Sequence, residues 1–225
     1  MKIKPLRAAK AIYSLAQLVR DPNKLGQVFE MADALAEPAR LAEMVERLAK
    51  DPAKAAAMDE RHRFRIDLPA LRRLPEGTLG RVFAEHMIAE DLDPAALPDL
   101  EVTDRGSFFR AHLYDTHDIW HAVTGFRTDV FGEIGLQAFY LAQIGGPLPS
   151  LLLAVGFLRV ALYEVEMGPK LMESVARGWR MGTEAQSFFG VHWDELWHLP
   201  MAEVRRRLAI ENADVEAQGV TALAA

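Results

Sequence analysis

Two histidines four residues apart, His117 and His121, have Asp118 between them and Glu133 twelve residues beyond. These four side chains are the residues of this sequence best suited to hold a metal ion. Successive residues of an α-helix are rotated by about 100°, so on a helix His117 and His121 lie about 40° apart, with Asp118 about 60° from His121. Two imidazoles at i and i+4 make the bidentate grip of helical His-x-x-x-His sites. His112, five residues before His117 and about 140° round the helix, is left out of the set. With no cysteine in the chain, any metal must take nitrogen and oxygen ligands. Two imidazoles and two carboxylates suit Zn²⁺ first, with Fe²⁺ or Mn²⁺ compatible. All four ligands together would close a tetrahedral structural site. One carboxylate held back would leave open positions for substrate or oxygen. A hydrogen-bonded polar cluster joining two helices has the same residue types, and spacing alone leaves these readings open.

The elements that must position these groups are helices. The pattern around the histidines begins near Asp104 and stops at Gly125; Phe126-Arg127 turns, and Thr128-Asp129 offers the cap of a second helix, with Glu133 one turn in. A connection this short makes the two helices antiparallel neighbours. Elsewhere Asp21-Pro22, Glu37-Pro38, Asp51-Pro52 and Asp93-Pro94 place an acidic residue before a proline, the pairing expected at helix starts. Apolar residues recur at three and four spacing, as in Val28, Met31 and Leu35, then Leu41, Met44, Val45 and Leu48. No stretch alternates convincingly as a strand would. The expectation is an all-α fold: a single multi-helix domain over residues 1–210, with a metal site between two adjacent helices and a polar, frayed tail over 211–225.

Residues 134–162 carry one charge, Arg159. A bilayer span needs roughly 20 continuous apolar residues. Gly145-Gly146-Pro147-Leu148-Pro149 breaks the run into halves of about eleven and thirteen residues, which favours a buried helical hairpin over direct membrane insertion, with a hairpin lining an apolar slot open to a membrane surface as a third reading.

Half of the 225 residues are apolar, enough for a sizeable core, and the net charge of −6 argues against nucleic acid as a partner. Met1 to Arg20 holds five basic residues and no acidic one, in the manner of a solvated helix face, a membrane-surface helix or a transit peptide. No signal-peptide hydrophobic core lies near Met1, which argues against secretion.

His117-Asp118-Ile119-Trp120-His121, eleven residues, then Glu133 resembles the signature of the family of the fourth coenzyme Q biosynthesis protein. The similarity extends from about Asp21 to Ile210. It includes Gly77-Thr78-Leu79-Gly80, Gly125, Gly132-Glu133-Ile134, Ala176-Arg177-Gly178-Trp179-Arg180-Met181-Gly182 and Trp193-Asp194-Glu195-Leu196-Trp197. The resemblance implies an all-helical protein of ubiquinone biosynthesis with zinc or a related divalent metal at His117, Asp118, His121 and Glu133. It implies isoprenoid lipid binding, peripheral association with the inner membrane, and partnership with other ubiquinone-biosynthesis enzymes. Self-association as a homodimer stays open. Because the chain starts directly with the folded portion, the resemblance favours a bacterial-type protein on the cytoplasmic face; a mitochondrial member would sit on the matrix face.

On this resemblance, a prenylated 4-hydroxybenzoate-type intermediate would lay its tail against Leu141, Leu151, Leu152 and Phe157 and its ring carboxylate at the metal. Trp120 and Arg127 are candidate head-group contacts, as are Trp179 and Arg180. Asp118 would be the catalytic proton acceptor, or would orient metal-bound water. The reading leans toward an enzyme of oxidative decarboxylation and hydroxylation at ring carbon C1. The alternative is a metal-stapled scaffold and lipid carrier without catalysis, in which Trp193 and Trp197 either meet partner enzymes or pack the terminal helices. A metal-dependent phosphohydrolase would need further ligands on separate helices, and His62, His86, His192 and His198 show no comparable spacing.

Overall fold

Acidic caps start several of the helices, as the sequence predicts. In the computed structural model, which describes residues 4–94 and 99–210, Asp51 accepts from the amide of Ala53, Asp104 from Ser107 and Asp129 from Gly132. Asp21-Pro22 does otherwise. Asp21 closes the first helix, and the next begins only at Leu25. The helix start expected at Asp93-Pro94 runs into residues 95–98, which lie outside the described residues, as does the tail expected over 211–225. The described residues are all-helical, with no strand and one isolated bridge between Thr78 and Pro200.

Contacts divide the chain into two compact units. The first combines the chain up to Leu48 with Asp129–Thr183. It holds α1 (Pro5–Arg20), α2 (Leu25–Leu35), α3 (Pro38–Leu48), α8 (Val130–Gln143), α9 (Pro147–Tyr163) and α10 (Gly168–Glu184). The second combines Ala49–Thr128 with the chain from Glu184. It holds α4 (Pro52–Glu60), α5 (Leu68–Leu71), α6 (Leu79–Ala89), α7 (Arg105–Thr124) and α11 (Met201–Arg207).

In the first unit, α1 lies on α2 and α9 and buries Ala11, Leu18 and Val19 with Met31, Ala34, Leu35 and Val155. The described part of the basic N-terminal segment, from Pro5 to Arg20, is thus a packed helix of this unit, with its cap Lys4 paired to Glu37 and Arg7 donating to the carbonyl of Asp33. Arg159, the one charge of the apolar stretch, donates to the carbonyls of Val19 and Arg20 at 3.2 Å each and pairs with Glu164. It satisfies acceptors that the end of α1 leaves open. The expected hairpin is α8 and α9, packed together and joined at Gly145-Gly146. Its arms run to 14 and 17 residues, longer than the apolar halves, because Asp129 and Pro147 set the helix starts. No helix of the described residues is long and apolar enough to cross a membrane. α10 reaches α8 through Gly178, where a Cβ would stand 1.9 Å from the carbonyl oxygen of Gly135.

In the second unit the core is aromatic. Phe188 meets Trp120 and Trp193 edge-on at 5.3 and 5.4 Å, and Phe189 meets Phe108 and Phe109. Trp193 is fully buried, while Trp197 stacks on Phe83. Both indoles therefore pack structure. Arg205 of α11 donates to the carbonyls of Ala122 and Val123 near the end of α7, which fixes the half of α7 that carries the histidines.

Candidate metal centre

α7 starts on a capping box between Asp104 and Ser107 and stops at Gly125, whose φ of 73° is the left-handed conformation that glycine adopts without strain. Both ends match the sequence expectation. The chain then turns back, and His121, 1% exposed, finds the carbonyl of Phe126 2.9 Å from its Nδ1. A carbonyl only accepts, so Nδ1 of His121 carries the proton and Nε2 the lone pair. That Nε2 lies 3.3 Å from Nε2 of His117, with the two rings edge-to-face at 89°.

The separation has a chemical meaning. Zinc–nitrogen bonds of about 2.0–2.1 Å in a tetrahedral site put neighbouring nitrogens about 3.3–3.4 Å apart. Two imidazole lone pairs at that distance either share a proton or face a common cation. The pair therefore fits a divalent ion, in distance as well as in donor type. A backbone carbonyl on the distal Nδ1 is also the usual support of a metal-ligating histidine.

A third imidazole joins them. His86 on α6 stacks against His121 with ring centres 6.3 Å apart, and its buried Nε2 has no hydrogen-bond partner. Burial pushes its pKa below the usual histidine value, helped by His121 and opposed by the carboxylates of Asp118 and Glu90. Leaving a buried ring nitrogen unsatisfied costs on the order of 1–3 kcal/mol. Nothing in the sequence pointed to it, since His86 sits 31 residues before His117 on another helix.

Asp118 is half-buried, next along α7 from His117. Glu133 is half-buried in the first turn of α8, its amide donating to the carbonyl of Asp129 at 2.8 Å.

Residues 4–214 match the family described as coenzyme Q (ubiquinone) biosynthesis protein Coq4. The chain belongs to the Coq4 family. It is 27% identical over 212 residues to the mitochondrial ubiquinone biosynthesis protein coq4 of Aspergillus fumigatus, covering 91% of this chain and 73% of that one. The zebrafish (Danio rerio) homolog, also named mitochondrial, is 25% identical over 214 residues, 93% of this chain and 78% of its own. A crystal structure of a Nostoc punctiforme protein assigned to ubiquinone biosynthesis superposes with a TM-score of 0.79 at 34% identity, covering 91% of this chain and 99% of that one.

Within this Coq4-family chain the other candidate residues fall in different environments. Trp120 is fully buried against Phe188, whereas Arg127 is exposed on the turn after α7. Leu141 packs on the cluster of Ile134, Ala138, Leu153, Val160 and Leu171. Leu151 and Leu152 pack on the separate cluster of α1 and α2. Phe157 is 42% exposed, as are Leu158 at 42% and Leu162 at 64% farther along α9. Trp179 and Arg180 are exposed on α10.

Proposed function

We propose that this protein is a metal-dependent enzyme of ubiquinone biosynthesis that carries out oxidative decarboxylation and hydroxylation at C1 of a prenylated 4-hydroxybenzoate-type ring, with dioxygen as the two-electron oxidant. The carboxylate leaves as CO2, water supplies the hydroxyl, and dioxygen is reduced to hydroperoxide. The observation that carries the reading is the 3.3 Å separation of the His117 and His121 Nε2 atoms, with the His121 tautomer set by Phe126. A divalent ion of the zinc class fits that pair, with Glu133 as the carboxylate ligand the sequence pattern adds and Asp118 held out of the ligand set. Bound there, the ion supplies a Lewis acid for the ring carboxylate. The side chains do the rest. Asp118, not needed to close a three-ligand set, accepts the proton released at the ring. His86, whose pKa burial lowers, offers an imidazole nitrogen to the ring substituents. The apolar surface of α8 and α9, with Leu141, Leu151, Leu152 and Phe157, takes the isoprenoid tail, each buried methylene contributing about 0.8 kcal/mol.

The test is mass-spectrometric profiling of quinone intermediates in cells lacking the protein, complemented with wild type or Asp118→Ala. Accumulation of prenylated intermediates that keep the C1 carboxylate, cured by wild type alone, supports the enzyme. Equal rescue by both proteins shifts the reading to a metal-stapled scaffold that carries lipid intermediates among the pathway's enzymes at the membrane surface. That second reading draws on one feature: Phe157, Leu158, Leu162 and Tyr163 of α9, with Val165 just beyond it, are exposed apolar side chains. Such a surface fits a partner or a bilayer face.

A further inference from the structure

His62 and His192 are 130 positions apart in the sequence, and the second unit stacks their imidazoles with ring centres 4.1 Å apart at 21°. Three carboxylates surround the stack. Asp194 Oδ1 lies 2.9 Å from His62 Nε2, Glu60 Oε2 lies 3.3 Å from His192 Nε2, and Glu195 Oε1 lies 3.4 Å from His192 Nδ1. One ligand atom each from Glu60, His62 and His192 falls within 4.8 Å of the others. We propose that Glu60, His62 and His192 form a second divalent-metal site, of the zinc class, with Asp194 and Glu195 as its positioning residues.

The charge balance is the first argument. Glu60, Asp194 and Glu195 bring three carboxylates to the two rings. Among the described residues no lysine or arginine pairs with Glu60, Asp194 or Glu195. The nearby guanidinium groups are engaged elsewhere: Arg105 with Asp59, Arg63 with Asp99 and Asp115, Arg61 with the carbonyl of Thr103. Behind the stack, His112 accepts the Gly190 amide on Nε2. A divalent cation supplies the missing positive charge.

The second argument is tautomeric. Asp194 accepts from Nε2 of His62 and leaves the lone pair on Nδ1; Glu195 accepts from Nδ1 of His192 and leaves it on Nε2. Each ring thus has a carboxylate on one nitrogen and a free donor pair on the other, the arrangement that orients metal-ligating histidines. The Nε2 of His192 faces Glu60 across 3.3 Å, again the edge of a tetrahedral site. Loading requires the two rings to tilt out of their stack, and both are only half-buried. Two imidazoles and one glutamate are a ligand set that leaves a fourth position open for water or substrate.

The test is zinc titration of chelator-stripped full-length protein against a competing chromophoric chelator. Wild type is expected to bind two equivalents. His117→Ala should lose one and keep the other, while Glu60→Gln and His192→Gln should lose the other and keep the first. Glu60 is exposed at the end of α4, so its isosteric amide leaves the metal-free melting temperature unchanged. Asp194→Asn, acting through His62, is expected to weaken the second equivalent about 10- to 100-fold. A single equivalent in wild type, or a second equivalent that survives Glu60→Gln at unchanged affinity, overturns the proposal.

Discussion

His121 donates its Nδ1 proton to the carbonyl of Phe126 across the Gly125 turn, and this one bond decides which nitrogen of His121 faces His117. The bond exists because α7 ends in a left-handed glycine that folds the next peptide back over the last turn. Helix termination and the orientation of the candidate ligand pair are coupled here.

That coupling predicts how metal is lost. His117→Ala and His121→Ala should each lower zinc affinity at this centre at least 100-fold, read by chelator competition. Gly125→Ala keeps every ligand but strains the turn by about 1–2 kcal/mol. It should weaken zinc about 10-fold and lower the melting temperature. Unchanged affinity in His117→Ala would remove this pair from the site.

Arg159 predicts a stability effect. Its guanidinium holds the last carbonyls of α1 and the carboxylate of Glu164. Arg159→Met keeps the aliphatic stem but removes charge-assisted bonds that contribute about 1.5–3 kcal/mol each when buried. With this side chain partly exposed, a total loss of about 2 kcal/mol is expected in chemical denaturation. An unchanged denaturation midpoint would show that α1 does not depend on this contact.

Gly178 is the tightest packing constraint. An added Cβ would meet the carbonyl oxygen of Gly135 at 1.9 Å, where backbone rather than a flexible side chain must yield. Gly178→Ala gains about 1 kcal/mol of helix propensity. The clash outweighs this gain, because α8 and α10 must separate and give up the contacts between them. A net destabilisation of about 2 kcal/mol or more, seen as a lower melting temperature, is the expected result. A melting temperature at or above wild type would contradict the close approach of the two helices.

His112 predicts a pH dependence in metal-free protein. Burial holds its pKa at about 4 against the usual 6.5. Above about pH 6.5 neither folded nor unfolded chain is protonated there, and the contribution is fully present. As pH falls from about 6.5 to 4 the unfolded chain takes up the proton first, so roughly 3 kcal/mol of stability is lost across that window. Urea denaturation at intervals between pH 7 and 4, with His112→Gln as comparison, should show wild type losing more stability than the variant. Parallel curves would mean that His112 is not held neutral by the fold.

Much of the site was legible along the chain because its information is local. The i and i+4 spacing of His117 and His121, the cap at Asp104 and the stop at Gly125 each involve residues within one or two helical turns. Helix geometry alone converts that spacing into a shared face. The caps at Asp51 and Asp129 are local too. Tertiary structure decided what depends on chain separation. It gave Arg159 its partners at the end of α1, about 140 positions away. It set His86 against His121 and stacked His62 on His192. It also buried Trp120 and Trp193, whose sequence context does not separate a core indole from a binding one. These contacts come from helix packing, which depends on the apolar faces of whole helices. No short-range spacing encodes which side chains such packing brings together, and for that reason the second histidine cluster emerges only from the folded chain.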